Sequence, residues 1–102
     1  MVSLEAHLAK GKVTIFDFYA VWCGPCRMID AHIFPKLGRD KDIAVRNLNV
    51  VDWESPITAH FLKDESNLPF LVIFGRKDRK VATISGFDVA GIDEAIAKGQ
   101  QQ

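Results

Sequence analysis

The residues best suited to chemistry in this sequence are consecutive: Trp22-Cys23-Gly24-Pro25-Cys26. The two cysteines are the only ones in 102 residues, and two residues separate them. A bridge between them closes a tiny loop, which removes little entropy from the unfolded chain. Small secreted domains held by disulfides carry more cysteines at wider spacing, so stapling the fold is a poor use of this pair. Thiol–disulfide exchange needs sulfurs this close together. One thiolate attacks a foreign disulfide, and a second thiol resolves the mixed disulfide before it is trapped.

Other chemistries fit less well. A structural zinc site takes four ligands from cysteine and histidine, and a single CxxC supplies two. His7, His32 and His60 fall in three different predicted helices, with no second CxxC and no HxxxH spacing, so no metal is expected. No histidine lies three or four residues from Cys23, which argues against a Cys–His hydrolase. Arg76-Lys77-Asp78-Arg79-Lys80 is the only basic cluster. It reads as a solvated hairpin turn, and nucleic-acid binding would call for aromatics interleaved with the basic residues.

The cysteine pair needs a strand to deliver it and a helix to receive it. Val13 to Tyr19 is rich in β-branched and aromatic residues and apolar on both faces, as a central strand should be. Asp17 is the one charge inside it. Arg27 onward reads as a helix with Met28, Ile29, Ile33 and Phe34 on its apolar side, and Pro35 is expected to interrupt or end it. If that helix begins at Cys23, its unpaired amides and positive dipole end favour an exposed attacking thiolate there. Gly24 allows a tight turn, Pro25 suits the first helical turn, and Cys26 follows about one turn on.

The remaining elements complete an αβ alternation. Ser3 is an expected cap for a helix through Leu4, Ala6, Leu8 and Ala9, with Gly11 as its C-terminal glycine. Ile43 to Val50 is a second strand, and Ser55-Pro56 starts a helix on which Ile57 and Phe61 share a face. Asn67-Leu68-Pro69 leads into the apolar strand Phe70 to Phe74. A polar turn from Gly75 to Lys80 precedes an alternating strand from Val81 to Ser85. Asp88 can cap a last helix with Ile92, Ala95 and Ile96 on one face, ending near Gly99, and Gln100 to Gln102 would fray. The order predicts an α/β fold with a mixed sheet and helices on both faces, as a single domain over residues 1–102.

Composition sets outer bounds. Apolar residues make up 48% and charged residues 25%, which is globular, and 13 basic residues balance 13 acidic ones. A highly charged partner such as nucleic acid is not indicated, and electrostatic steering of substrates would be weak. No apolar run approaches the roughly 20 residues of a membrane helix. Met1-Val2-Ser3-Leu4-Glu5 shows no basic region leading into an apolar one. The expected location is the cytoplasm, the alternative being the periplasm with a leader absent from this chain.

The run from Phe16 to Ile29, FDFYAVWCGPCRMI, resembles the active-site segment of thioredoxins. Leu68-Pro69 resembles the family's cis-proline, and Ser85-Gly86-Phe87 the glycine-containing loop after its last strand. The resemblance runs from about Val13 onward and implies a thioredoxin fold with a sheet of about four strands, because the chain begins at a helix without the family's first strand. It implies Cys23 as nucleophile, Cys26 as buried resolving thiol, and Asp17 as the buried acid that exchanges protons with Cys26. Burial would raise the pKa of Asp17 towards neutrality; otherwise Asp17 is an edge-of-sheet residue facing water. Trp22, Gly24 and Pro25 would flank the site on the substrate side. Leu68 and Pro69 would offer a backbone edge to an extended substrate, although a trans proline opening a strand fits the sequence too. Gly86 and Phe87 would line the same groove, or Phe87 is a core residue or helix staple.

The sequence departs from thioredoxins in two further places. Ala31 stands where the family has a helix-kinking proline, and Asn47 or Arg46 stands about where a lysine neighbours the buried acid. Asp30-Ala31-His32-Ile33-Phe34 and Ser85-Gly86-Phe87-Asp88 also resemble thioredoxin-like domains of the bacterial cell envelope, such as the C-terminal domain of the membrane electron carrier DsbD. The resemblance implies a monomeric protein-disulfide reductase with no cofactor beyond the Cys23–Cys26 pair. It would act on protein disulfides and be recharged by a thioredoxin reductase or a membrane thiol carrier. A reducing direction fits Gly24-Pro25, which has no histidine to stabilise the thiolate. The alternatives are an electron relay of an envelope pathway and a binding module whose redox activity is incidental.

Overall fold

The structure, a computed structural model, describes residues 3–102, so Met1 and Val2 of the Met1-to-Glu5 segment lie outside it. β1 (Val13–Tyr19) is buried along its whole length except at Tyr19. It pairs in parallel with β2 (Ile43–Asn49) and antiparallel with β3 (Phe70–Phe74), which in turn pairs antiparallel with β4 (Lys80–Ser85). The four-stranded order is β2-β1-β3-β4, the mixed sheet expected from the sequence.

Alternation along β1 sends its residues to two different cores. Val13 and Ile15 face α1 (Gly24–Arg39) and α3 (Val89–Gln100), in an aliphatic cluster with Ile29, Ile33, Leu71 and Ile92. Phe16 and Phe18 face the other way, among Val50, Leu62, Val72 and Phe74, with Ile57 and Phe61 of α2 (Pro56–Phe61) packed against them. Ser55 caps α2 by accepting from the Thr58 amide at 3.3 Å, and Asp88 caps α3 by accepting from the Gly91 amide at 2.9 Å.

Several of these expectations need correction. Pro35 neither ends nor interrupts α1, which continues to Arg39. A proline inside a helix costs about 3 kcal/mol, and full burial of an isoleucine contributes about 1.5–3 kcal/mol. Ile29 and Ile33, both fully buried, and the half-buried Leu37 dock the helix on either side of the break. The buried row of α1 is thus Cys26, Ile29 and Ile33; Met28 and Phe34 are exposed.

The first helix is a short 3-10 turn over Leu4–His7 that stops before Leu8, and the Ser3 side chain makes no cap bond. Leu4 and Leu8 pack onto the aromatic cluster, which holds the segment without a regular helix. Gly11 has φ +77° in the turn before β1, not at a helix end. The closing glutamines are not frayed. Gln100 belongs to α3 and donates to Asp42 Oδ1 at 3.3 Å, and Gln102 Oε1 accepts from the Lys77 amide at 2.9 Å.

Candidate active site

After β1 the chain turns through Ala20, whose carbonyl accepts from the Cys23 amide at 3.1 Å. Cys23 is the N-cap of α1: its backbone is extended, and its Sγ accepts from the Cys26 amide at 3.2 Å. An amide at the positive end of a 16-residue helix is therefore aimed at this sulfur, the arrangement that favours a thiolate over a thiol. Cys23 and Cys26 are joined in a disulfide with Cα atoms 5.3 Å apart. Cys23 is less exposed than expected. It retains 5% of its surface against 1% for Cys26, because the bonded sulfurs pack with Ala20, Tyr19 and Leu68.

Asp17 continues the row of Val13 and Ile15 into the space beneath α1, and only 1% of it is exposed. That excludes an edge residue facing water. Neither carboxylate oxygen meets a donor, and Asp30 Oδ1, buried on α1, lacks one too. Burial first, and then the hydrogen bond and charge of Asp30, raise the Asp17 carboxyl from 3.8 to about 8. Two ionised carboxylates would leave each other without a donor, whereas one proton between them satisfies both. Asp30 was not singled out in the sequence. Its signal was positional: four residues past Cys26, it lies on the same helix face.

The Leu68–Pro69 peptide bond is cis. Leu68 packs against the cysteines, and the Pro69 carbonyl accepts from the Gly86 amide at 2.8 Å, so three of the expected substrate-side residues come together. Gly86 has φ +81°, a conformation that favours glycine. Phe87 is 53% exposed and belongs to none of the core clusters, so it is not a core residue.

A family model, described as thioredoxin, matches residues 2–98. Thioredoxin-1 of Saccharomyces cerevisiae is 31% identical over 106 residues, covering 91% of this chain and 86% of its own. Thioredoxin-2 of the same yeast is 35% identical over 94 residues, with the same coverage. The chain belongs to the thioredoxin family.

Among solved structures, Fasciola hepatica thioredoxin superposes with a TM-score of 0.68 at 26% identity, covering 89% of this chain and 84% of that one. Together with the Cys23–Cys26 disulfide, membership of the thioredoxin family makes the protein a thiol–disulfide oxidoreductase. Its departures from the thioredoxin pattern have structural consequences. Of the two residues that stand about where the family's lysine would, Asn47 is the β2 register partner of Asp17 but is exposed, and the Arg46 Nε turns away to donate to the His7 carbonyl at 3.1 Å. The group that does face Asp17 is another carboxyl.

On the outer side, Trp22 is 52% exposed, and its indole N–H donates to the Val51 carbonyl at 2.7 Å. Trp53 lies against it with ring centroids 6.3 Å apart. Val51 has φ +71°, a strained conformation for a β-branched residue. Trp53 was missed because its neighbourhood with Trp22 is purely tertiary. Pro25 is exposed and Gly24 half-buried at the tip of α1. Among the described residues no group of three histidine, cysteine or acidic side chains could hold a metal. No helix there is long and apolar enough to cross a membrane.

Proposed function

We propose that this protein reduces protein disulfides through a Cys23–Cys26 dithiol cycle, with the cysteine pair as its own redox group. The observation that carries this reading is the junction itself: Cys23 capping α1, bonded to the more buried Cys26, with a buried carboxyl beneath. In the reduced protein the Cys23 thiolate attacks a substrate disulfide. A Cys23–substrate bond forms, the substrate S–S bond breaks, and one substrate sulfur leaves as thiolate. Cys26 then gives its proton to the Asp17 carboxylate and attacks Cys23 Sγ. The internal disulfide forms, the mixed disulfide breaks, and the second substrate sulfur leaves. Two electrons pass from the dithiol to the substrate. An acid with a pKa near the working pH suits this proton transfer.

On this reading Trp22, Gly24, Pro25, Leu68, Pro69, Gly86 and Phe87 form the substrate side. The exposure of Trp22 and Phe87, and the contact of Leu68 with the cysteines, support it. The chain acts as a monomeric single domain, recharged by a thioredoxin reductase or a membrane thiol carrier. A reducing compartment such as the cytoplasm suits a protein that works from its dithiol form. Equilibration with glutathione tests the direction. The expected potential lies near about −270 mV, as for reducing members of this chemistry, and a value near about −120 mV would overturn the reductase reading.

A further inference from the structure

Asp30 is a half-buried titratable group that the exchange mechanism leaves unused. It projects from α1 one turn beyond Cys26, and one of its oxygens is buried without a partner. Asp17, on β1, presents two more unpartnered buried oxygens. Three unsatisfied carboxyl oxygens behind a redox sulfur are costly unless a proton lies among them.

Among the described residues no side-chain cation pairs with either carboxyl. On β2 the register partner of Asp17 is the neutral, exposed Asn47, and Arg46 is engaged with the His7 carbonyl. On β3 the partner is Leu71. Farther along α1, His32 and Lys36 contact Asp93 of α3, at 2.7 and 3.4 Å. Nearer the site, the Arg27 guanidinium donates to the Val21 carbonyl at 2.8 Å on the exposed side.

We propose that Asp30 is a positioning residue of the resolving step: it shares one proton with Asp17 across the α1–β1 contact, and so sets the pH at which Asp17 can take the proton of Cys26. The proposal rests on the reading of Asp17 as the proton acceptor. The charge of Asp30 opposes ionisation of Asp17, which therefore gives up its proton only at higher pH. A neutral donor at position 30 would instead hydrogen-bond the Asp17 carboxylate and ionise it earlier.

Two readouts test this on the full chain. Carboxyl carbon NMR follows the titration of Asp17 in the oxidised protein. The pH profile of release from a preformed Cys23 mixed disulfide follows the resolving step. Asp30→Asn should move both midpoints down by roughly one pH unit or more, and Asp30→Glu should restore them most of the way. Asp30→Ala, without a new donor, should move them less than Asp30→Asn; it serves if the asparagine variant does not fold. A folded Asp30→Asn or Asp30→Ala protein with unshifted midpoints overturns the proposal. If Asp17→Asn leaves the release profile unchanged, the Asp17 reading fails and this one with it. If Asp17→Asn flattens the profile while the Asp30 variants leave it in place, only the role of Asp30 fails.

Discussion

β1 carries two buried polar side chains, one on each face, and their surroundings differ in kind. Thr14 points to the aromatic side, where its hydroxyl accepts from the Ala9 amide at 3.1 Å. It is fully buried and has a partner, so it serves the fold. Asp17, three residues on, points to the aliphatic side, is equally buried, and meets no donor beyond a shared proton. A strand optimised for stability alone would place an apolar residue there. The contrast marks Asp17 as a group kept at a cost, and the cysteines lie on its side of the sheet. The other face holds a cavity of about 460 Å³ beside Leu4, Phe16, Val45 and Phe61, but no cysteine and no buried carboxyl.

The largest effect that would break this contrast is kinetic. Asp17→Asn should slow the resolving step by about 100-fold, the scale of a lost general base, while Thr14→Val should leave it unchanged. Stopped-flow measurement of mixed-disulfide release separates them.

The second effect is on stability. Folding raises the Asp17 carboxyl from 3.8 to about 8. Within that window the folded protein binds more protons than the unfolded chain, so stability falls as pH rises from about 4 to about 8. The loss should be on the order of a few kcal/mol, seen as a falling urea midpoint of the oxidised protein. Asp17→Asn should flatten the slope and be the more stable protein at pH 8.

Thr14→Val should cost about 1 kcal/mol at every pH, through the unpaired Ala9 amide. A pH-dependent loss in that variant would erase the distinction between the two faces. Smallest is Asp93, on the surface between α1 and α3. Desolvation works against its ionisation, but the His32 hydrogen bond and the charges of His32 and Lys36 outweigh it, leaving its carboxyl below 3.8. Its contribution is present above the ordinary carboxylate range and lost as pH falls through the lowered value. Asp93→Asn should cost less than about 1 kcal/mol near neutrality, in the same urea titration.

Local chemistry explains what the sequence made legible. The span of β1, the Ser55 and Asp88 caps, and the placement of Cys23 at a helix start all follow from neighbours in the chain, and each is present. The oddity of Asp17 was visible because one charge interrupts an apolar run. Tertiary relations were not visible. Pro35 sits inside α1 because Ile33 and Leu37 dock on both sides of it, and the face of α1 is fixed by the sheet, which leaves Met28 and Phe34 outside. The pairing of Asp17 with Asp30, and of Trp22 with Trp53, joins different elements that no local pattern links.

The most direct test of the exchange chemistry is to incubate reduced Cys26→Ser and Cys23→Ser variants with a protein disulfide such as insulin and to map adducts by mass spectrometry. Cys26→Ser should accumulate a covalent mixed disulfide at Cys23, and Cys23→Ser should form almost none. Adducts at Cys26 alone, or none on either variant, would contradict Cys23 as the attacking sulfur of this thioredoxin-family protein.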